Sequence, residues 1–313
     1  MTGTTTQARP MTRGRAALRI HRLEYPFPAV YACHVLWGAC FAMTSPGQLL
    51  AVPVLVTLVA NLLGIISQNP LNAALDVRAD TSTQGKGGIA DATRLLGPRA
   101  AFRWAAAEMA LALGLSAAVS VWLARPAVVV GVALAIVLHL LYNLEPVRLK
   151  SRGYANPAYF GLTFALLPCV STYSAIRPDI PVPVWLVFAG LAVLLFGRSL
   201  WWSIPDKTGD ALAGDRPPAV RHGARVALLV ACAGTATALA LIGWGLLWLY
   251  GPAWALLGVA ACGAFLVDKL GLLRGISDEN LPSETSMRRR SLSLVLAADL
   301  LLVVIPVILV VTR

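Results

Sequence analysis

The residues best suited to chemistry are Asn72, Asp76 and Asp80, spaced four apart directly after a long apolar run. On a helix such positions stand one turn above each other, so the three form a single polar stripe. A stripe of this kind attracts a cation. Two carboxylates about 6 Å apart repel by roughly 3 kcal/mol at an effective dielectric near 20, and a bound divalent ion turns that cost into attraction. The donors are hard oxygens with no His or Cys in register, which favours Mg2+ over Zn2+. A solvated helix end is the bland alternative, and a second pair far downstream, Asp206 and Asp210, weighs against it. Between the two lie Tyr142 and three cations in five residues, Arg148, Lys150 and Arg152. As ordinary loop residues these cations would grip anionic lipid. Facing metal-loaded carboxylates, they would form a clamp for a diphosphate.

The elements that must position these groups follow from composition. Of 313 residues, 58% are hydrophobic and only 13% charged, a mix that no soluble core of this size can hide. The chain therefore reads as an all-α integral membrane protein. Apolar runs of spanning length recur at about 27–45, 48–70, 100–123, 125–143, 156–175, 181–203, 222–249, 252–273 and 291–312, which predicts nine transmembrane helices. Charge placement gives the orientation. Of 26 Lys and Arg, three (Arg125, Arg177, Arg313) fall in outer segments and Arg198 falls inside a span, leaving 22 on the inner side. That bias predicts a cytoplasmic N-terminus, a C-terminus outside and a multi-pass protein of the cell membrane. The net charge of +11 is scattered over loops, so topology explains it and no nucleic acid is called for. Residues 1–19 read as a flexible cytoplasmic tail and 20–313 as one membrane domain. No cleavable signal is expected, and the five cysteines read as small buried hydrophobes. With nine spans, the second and sixth run in the same direction. Both acidic motifs then emerge on the cytoplasmic face, where the long loops also lie.

At this point the sequence resembles the UbiA-type intramembrane prenyltransferases. Arg22-Leu-Glu-Tyr-Pro26 looks like that family's N-terminal segment, and Asn72, Asp76 and Asp80 match its first aspartate-rich motif. The stretch from Tyr142 through Pro146 to Lys150 is similar to its basic loop. Asp206 to Asp210, with Gly214 and Val220 to Gly223 following, resembles its second motif. Two places where the family often has Asp hold Ala73 and Ser203 instead. The resemblance implies a ring of nine helices around a lipid-open cavity capped by inner loops. It also implies two Mg2+ ions bridged by the diphosphate, one held by Asn72, Asp76 and Asp80, the other by Asp206 and Asp210. Lys150 and Arg148 would neutralise the remaining phosphate charge, with Tyr142 nearby. The implied partners are a prenyl diphosphate donor, a lipophilic or aromatic acceptor, and the bilayer.

The layout suits ionisation of an allylic diphosphate, because a lipid-facing cavity keeps water from the cation. Trp201, Trp202, Tyr142, Tyr154, Tyr159 and Phe160 are candidates to face that cation, or are interfacial aromatics. Inside the spans, Glu108 is a candidate to orient an acceptor or take a proton, and Asp299 to pair structurally. His34 and His139 read as packed polar residues, and Arg22 as a contact for an acidic acceptor group or a lipid headgroup. Two other activities stay open: a membrane terpene cyclase of the same fold, and a transporter using acidic residues for coupling ions.

Overall fold

The computed structural model describes residues 11–77, 81 and 87–312. Among the described residues there are helices and turns and no strand. The chain opens with α1 (Arg13–Ile20) and α2 (Phe27–Ala42), followed by α3 (Val52–Leu75), α4 (Gly87–Leu96), α5 (Pro98–Leu123) and α6 (Pro126–Asn143). Next, α7 (Ala155–Gly161) runs through a π-turn at Leu162–Leu166 into α8 (Leu167–Ser174). The remainder is α9 (Val182–Trp202), α10 (Lys207–Leu212), α11 (Pro218–His222), α12 (Ala224–Tyr250), α13 (Pro252–Leu272) and α14 (Glu284–Val311).

Seven of these are long and apolar enough to cross a membrane: α3, α5, α6, α9, α12, α13 and the Arg290–Val311 part of α14. Their outward surfaces carry Trp122, Trp244, Trp248, Leu256 and Val267, all exposed, as a lipid-facing protein requires. The protein is a multi-pass membrane protein. The first and fifth expected spans differ from a simple rod. One is the 16-residue α2, about 24 Å long, and the other is the bent α7–α8 unit. The second span also starts later than hydropathy suggests, because Pro46–Leu50 forms a 3-10 turn and Pro53 fixes the first turn of α3. Part of the expected tail is ordered: α1 buries Ala16 and Ile20 in a small cluster with Ala73, Ala92 and Ala101. Three arginines in eight residues made that short helix hard to separate from a tail by composition.

Successive helices pack on one another from α2 through α3, α5, α6, α7–α8, α9, α12 and α13 to α14, and α14 returns to α2. Trp37 on α2 donates from its indole nitrogen to the Asp299 carbonyl of α14 at 3.2 Å, fastening this closure. Small residues allow the close approaches. Gly38 of α2 lies against the Cys169 carbonyl of α8, and Gly197 of α9 against Ala231 and Thr235 of α12, with no room for a Cβ at either place.

Candidate active site

α3 does not carry its polar stripe as one continuous helix. It ends at Leu75, and Asp76 takes the cap position with φ −104° and ψ 14°, its N–H donating to the Asn72 carbonyl at 2.9 Å. Asp is a poor helix former whose side chain competes for local partners, and here that side chain turns to Lys150. The Lys150 ammonium reaches both oxygens of the Asp76 carboxylate and is only 6% exposed. Asp80 lies outside the described residues. Asp206 caps α10 and its carbonyl accepts from the Asp210 N–H at 2.8 Å, so this pair sits on one short helical turn beyond α9.

Asn72, Asp76, Lys150, Asp206, Asp210, Tyr142 and Arg22 all line one cavity of about 330 Å³. Its walls are aromatic: Phe27, Tyr31, Phe160, Phe164 and Trp202 join Tyr142, which stacks on Tyr159 at 4.0 Å. Trp201 and Tyr154 stand elsewhere, Trp201 beside the Lys269 ammonium and Tyr154 stacked on His222.

Three further expected residues surround the cavity without lining it. Arg148 turns to Asp215 at 3.2 Å and to Glu145 at 3.4 Å. Arg152 folds back onto the carbonyls of Val147 and Pro146, bracing the basic loop. Glu108 accepts from His21 Nε2 at 2.8 Å, and the His21 Nδ1 meets the Ala17 carbonyl at the same distance. The His21 carbonyl in turn accepts from Asn69 at 3.1 Å. Glu108 thus helps fix the segment that presents Arg22, whose backbone is left-handed at φ 53°. Burial pushes the His21 imidazole down, but the Glu108 and Ala17 hydrogen bonds together outweigh it and hold the pKa above 6.5.

Sequence reasoning passed over Asp215, which lines the cavity and bridges the two acidic and basic segments. Burial raises its carboxyl above the usual 3.8, with Arg148 and Lys150 opposing. The available signal was its position five residues after Asp210, on the loop that follows the second motif. The Gly153 N–H donates to the Arg216 carbonyl at 3.1 Å, a second staple between the same loops. Lys207 pairs with Asp278 at 2.6 Å, and Asp278 accepts from the Ala224 N–H at 2.8 Å, which ties α10 to the start of α12.

The chemistry of this lining is oxygen-rich: the carboxylates of Asp76, Asp206, Asp210 and Asp215 and the amides of Gln68, Asn69, Asn72 and Asn156, with Lys150 and Arg22 among them. Among the described residues, no three His, Cys, Asp or Glu side chains are grouped so as to hold a metal ion unaided. Two partial oxygen sets fit hard cations whose coordination a polyanionic ligand completes.

The profile of the UbiA prenyltransferase family matches residues 32–291. Among solved structures, the chain is similar to a UbiA homologue from Archaeoglobus fulgidus bound to GPP and Mg2+, at 17% identity and a TM-score of 0.73, over 95% of this chain and 100% of that one. The same homologue bound to DMAPP and Mg2+ gives 16% identity and a TM-score of 0.72, over 95% and 99%. A digeranylgeranylglyceryl phosphate synthase gives 16% and 0.62, over 95% and 99%. At these identities the likeness is one of fold. No curated protein matches in sequence.

Proposed function

The chain belongs to the UbiA prenyltransferase family, and from that premise we propose that it transfers a prenyl group from an allylic isoprenoid diphosphate to a lipophilic, aromatic acceptor. The observation that carries the reading is the convergence of Asn72 and Asp76, Asp206 and Asp210, and Lys150 on one aromatic-walled cavity. The Archaeoglobus homologue described with GPP or DMAPP and Mg2+ supports the same ligand pairing. Asn72 and Asp76, with Asp80, would hold one Mg2+ and Asp206 with Asp210 the other. Bound there, the ions would supply positive charge to the diphosphate.

The chain's own residues do the rest. Lys150 and Arg22 add cationic charge to the leaving diphosphate as its bond to C1 breaks and it departs with the electron pair. Tyr142, Phe160 and Phe164 turn aromatic surface toward the resulting allylic cation. Their rings also keep water out until the acceptor donates an electron pair to C1 and gives up a proton to the released diphosphate. Arg148 and Arg152 act by shaping the loop that presents Lys150.

We place the active site on the cytoplasmic face of the cell membrane, in a nine-helix ring with N-terminus inside and C-terminus outside. The distribution of Lys and Arg supports this. Protein in nanodiscs, given Mg2+, C5 to C20 prenyl diphosphates and a panel of phenols, should release diphosphate together with a prenylated product. A cyclised hydrocarbon formed without acceptor would instead favour a terpene cyclase. Absence of diphosphate release from all donors would overturn both.

A further inference from the structure

Deeper in the membrane than the acidic motifs, the cavity meets a second polar group whose members come from three helices. Arg198 of α9 donates to Asp299 Oδ1 of α14 at 2.7 Å, and His34 Nε2 of α2 stands 3.6 Å from Asp299 Oδ2. Their exposures are 4%, 0% and 5%. Arg198 lies one turn, about 6 Å, before the end of α9, and Asp299 roughly 13 Å in from Arg290 and 18 Å from Val311. Asp299 and His34 therefore lie well inside their helices and Arg198 one turn from the end of its own, all three buried where an ionisable group needs partners.

Arg198 and His34 both line the cavity. Arg198 Nε and Nη2 and His34 Nδ1 have no hydrogen-bond partner among the described residues, and His34 Nε2 and Asp299 Oδ2 face each other only at the 3.6 Å ion-pair distance. A pair that served only to join α9 to α14 would gain by using the whole guanidinium fork, and unsatisfied buried donors carry a penalty. The charges of Arg198 and Asp299 already cancel, so the spare donors call for a neutral oxygen and a second carboxylate would upset the balance.

We infer that Arg198, held by Asp299 and flanked by His34, is the subsite for a neutral hydroxyl or carbonyl oxygen of the acceptor, which specifies an uncharged phenol or quinol class over an aromatic acid. The acceptor's ring would lie against Phe164, itself 6.3 Å from both His34 and Tyr31 between ring centres. This rests on the transferase reading above.

The test is equilibrium binding to the full chain in nanodiscs, with Mg2+ and geranyl thiolodiphosphate present. The probes are 2-naphthol, naphthalene and 2-naphthoate. Wild-type protein should bind 2-naphthol at least tenfold more tightly than either other probe. Arg198→Leu/Asp299→Leu, which removes both charges together, should bring that preference below twofold while still binding the thiolodiphosphate. His34→Leu should narrow it several-fold and serves as the readout if the double variant does not fold. Equal binding of the three probes by wild type, or a preference that survives in these variants, overturns the inference. If the thiolodiphosphate fails to bind wild type, the donor reading falls instead, and the naphthol comparison made without it still decides the subsite.

Discussion

Replacing Lys150 by Met should slow diphosphate release by roughly a hundredfold while leaving the Mg2+ requirement in place. Lys150 is buried beside the Asp76 carboxylate and lines the cavity with Asp206 and Asp210. When the bond to C1 breaks, about one unit of negative charge passes to the leaving group. A cation about 4 Å from that charge contributes about 4 kcal/mol at an effective dielectric near 20. Water in an open cavity and the neighbouring Arg22 reduce the difference to about 3 kcal/mol, near a hundredfold in rate and within the range of a lost electrostatic donor. Because ionisation is the step affected, kcat should fall more than KM rises. Lys150→Arg keeps the charge and should recover much of the rate, though not its geometry. The assay is diphosphate release under single-turnover conditions with saturating prenyl diphosphate. A loss below threefold for Lys150→Met, or a loss of Mg2+ dependence together with rate, would refute the electrostatic role.

Four further outcomes follow from the same geometry. Asp76→Asn and Asp206→Asn should each lower Mg2+-dependent turnover by about a hundredfold or more, with titration of Mg2+ showing a raised requirement. The His21 imidazole is held above its ordinary 6.5, so its contribution to stability is full below that value and is lost as pH rises through the folded pKa. Melting in detergent should therefore drop by about 2 °C from pH 6 to pH 9, and Glu108→Gln should flatten that slope. Gly38→Leu places a side chain where the Cys169 carbonyl leaves no space, and should destabilise by about 2–3 kcal/mol in denaturation assays. Asp278 is held below 3.8 by the Ala224 N–H and by Lys207, so its stabilisation is present above that value and fades as pH falls further. Asp278→Ala should accordingly raise amide exchange at Ala224.

Family membership and an all-helical membrane architecture were legible from composition and from four ordered motifs, since hydropathy and spacing are local properties. Element boundaries were less so. The start of α3 was displaced by a 3-10 turn that apolar residues alone do not mark, and its end by the pull of Lys150 on Asp76. α1 was hidden because eight residues with an Arg-rich face look like a tail until α4 covers their apolar side. Pairings between distant spans were out of reach for a different reason. Arg198 and Asp299 are single charges in separate apolar runs, and only the return of α14 to α2 brings them and His34 together. Glu108 shows the same limit, since its partner His21 lies in the short segment before the first long helix.

Placement of charge along the cavity constrains what the site can do. Acidic and basic groups concentrate where α3, the basic loop and α10 meet, and the same cavity also reaches Arg198, which is paired with Asp299. A hydrocarbon chain alone would gain nothing from that pair and would have to cover unsatisfied donors, which costs free energy. A second substrate carrying its own oxygen would satisfy them, which is what the acceptor subsite proposed above requires and what the three-probe binding comparison tests.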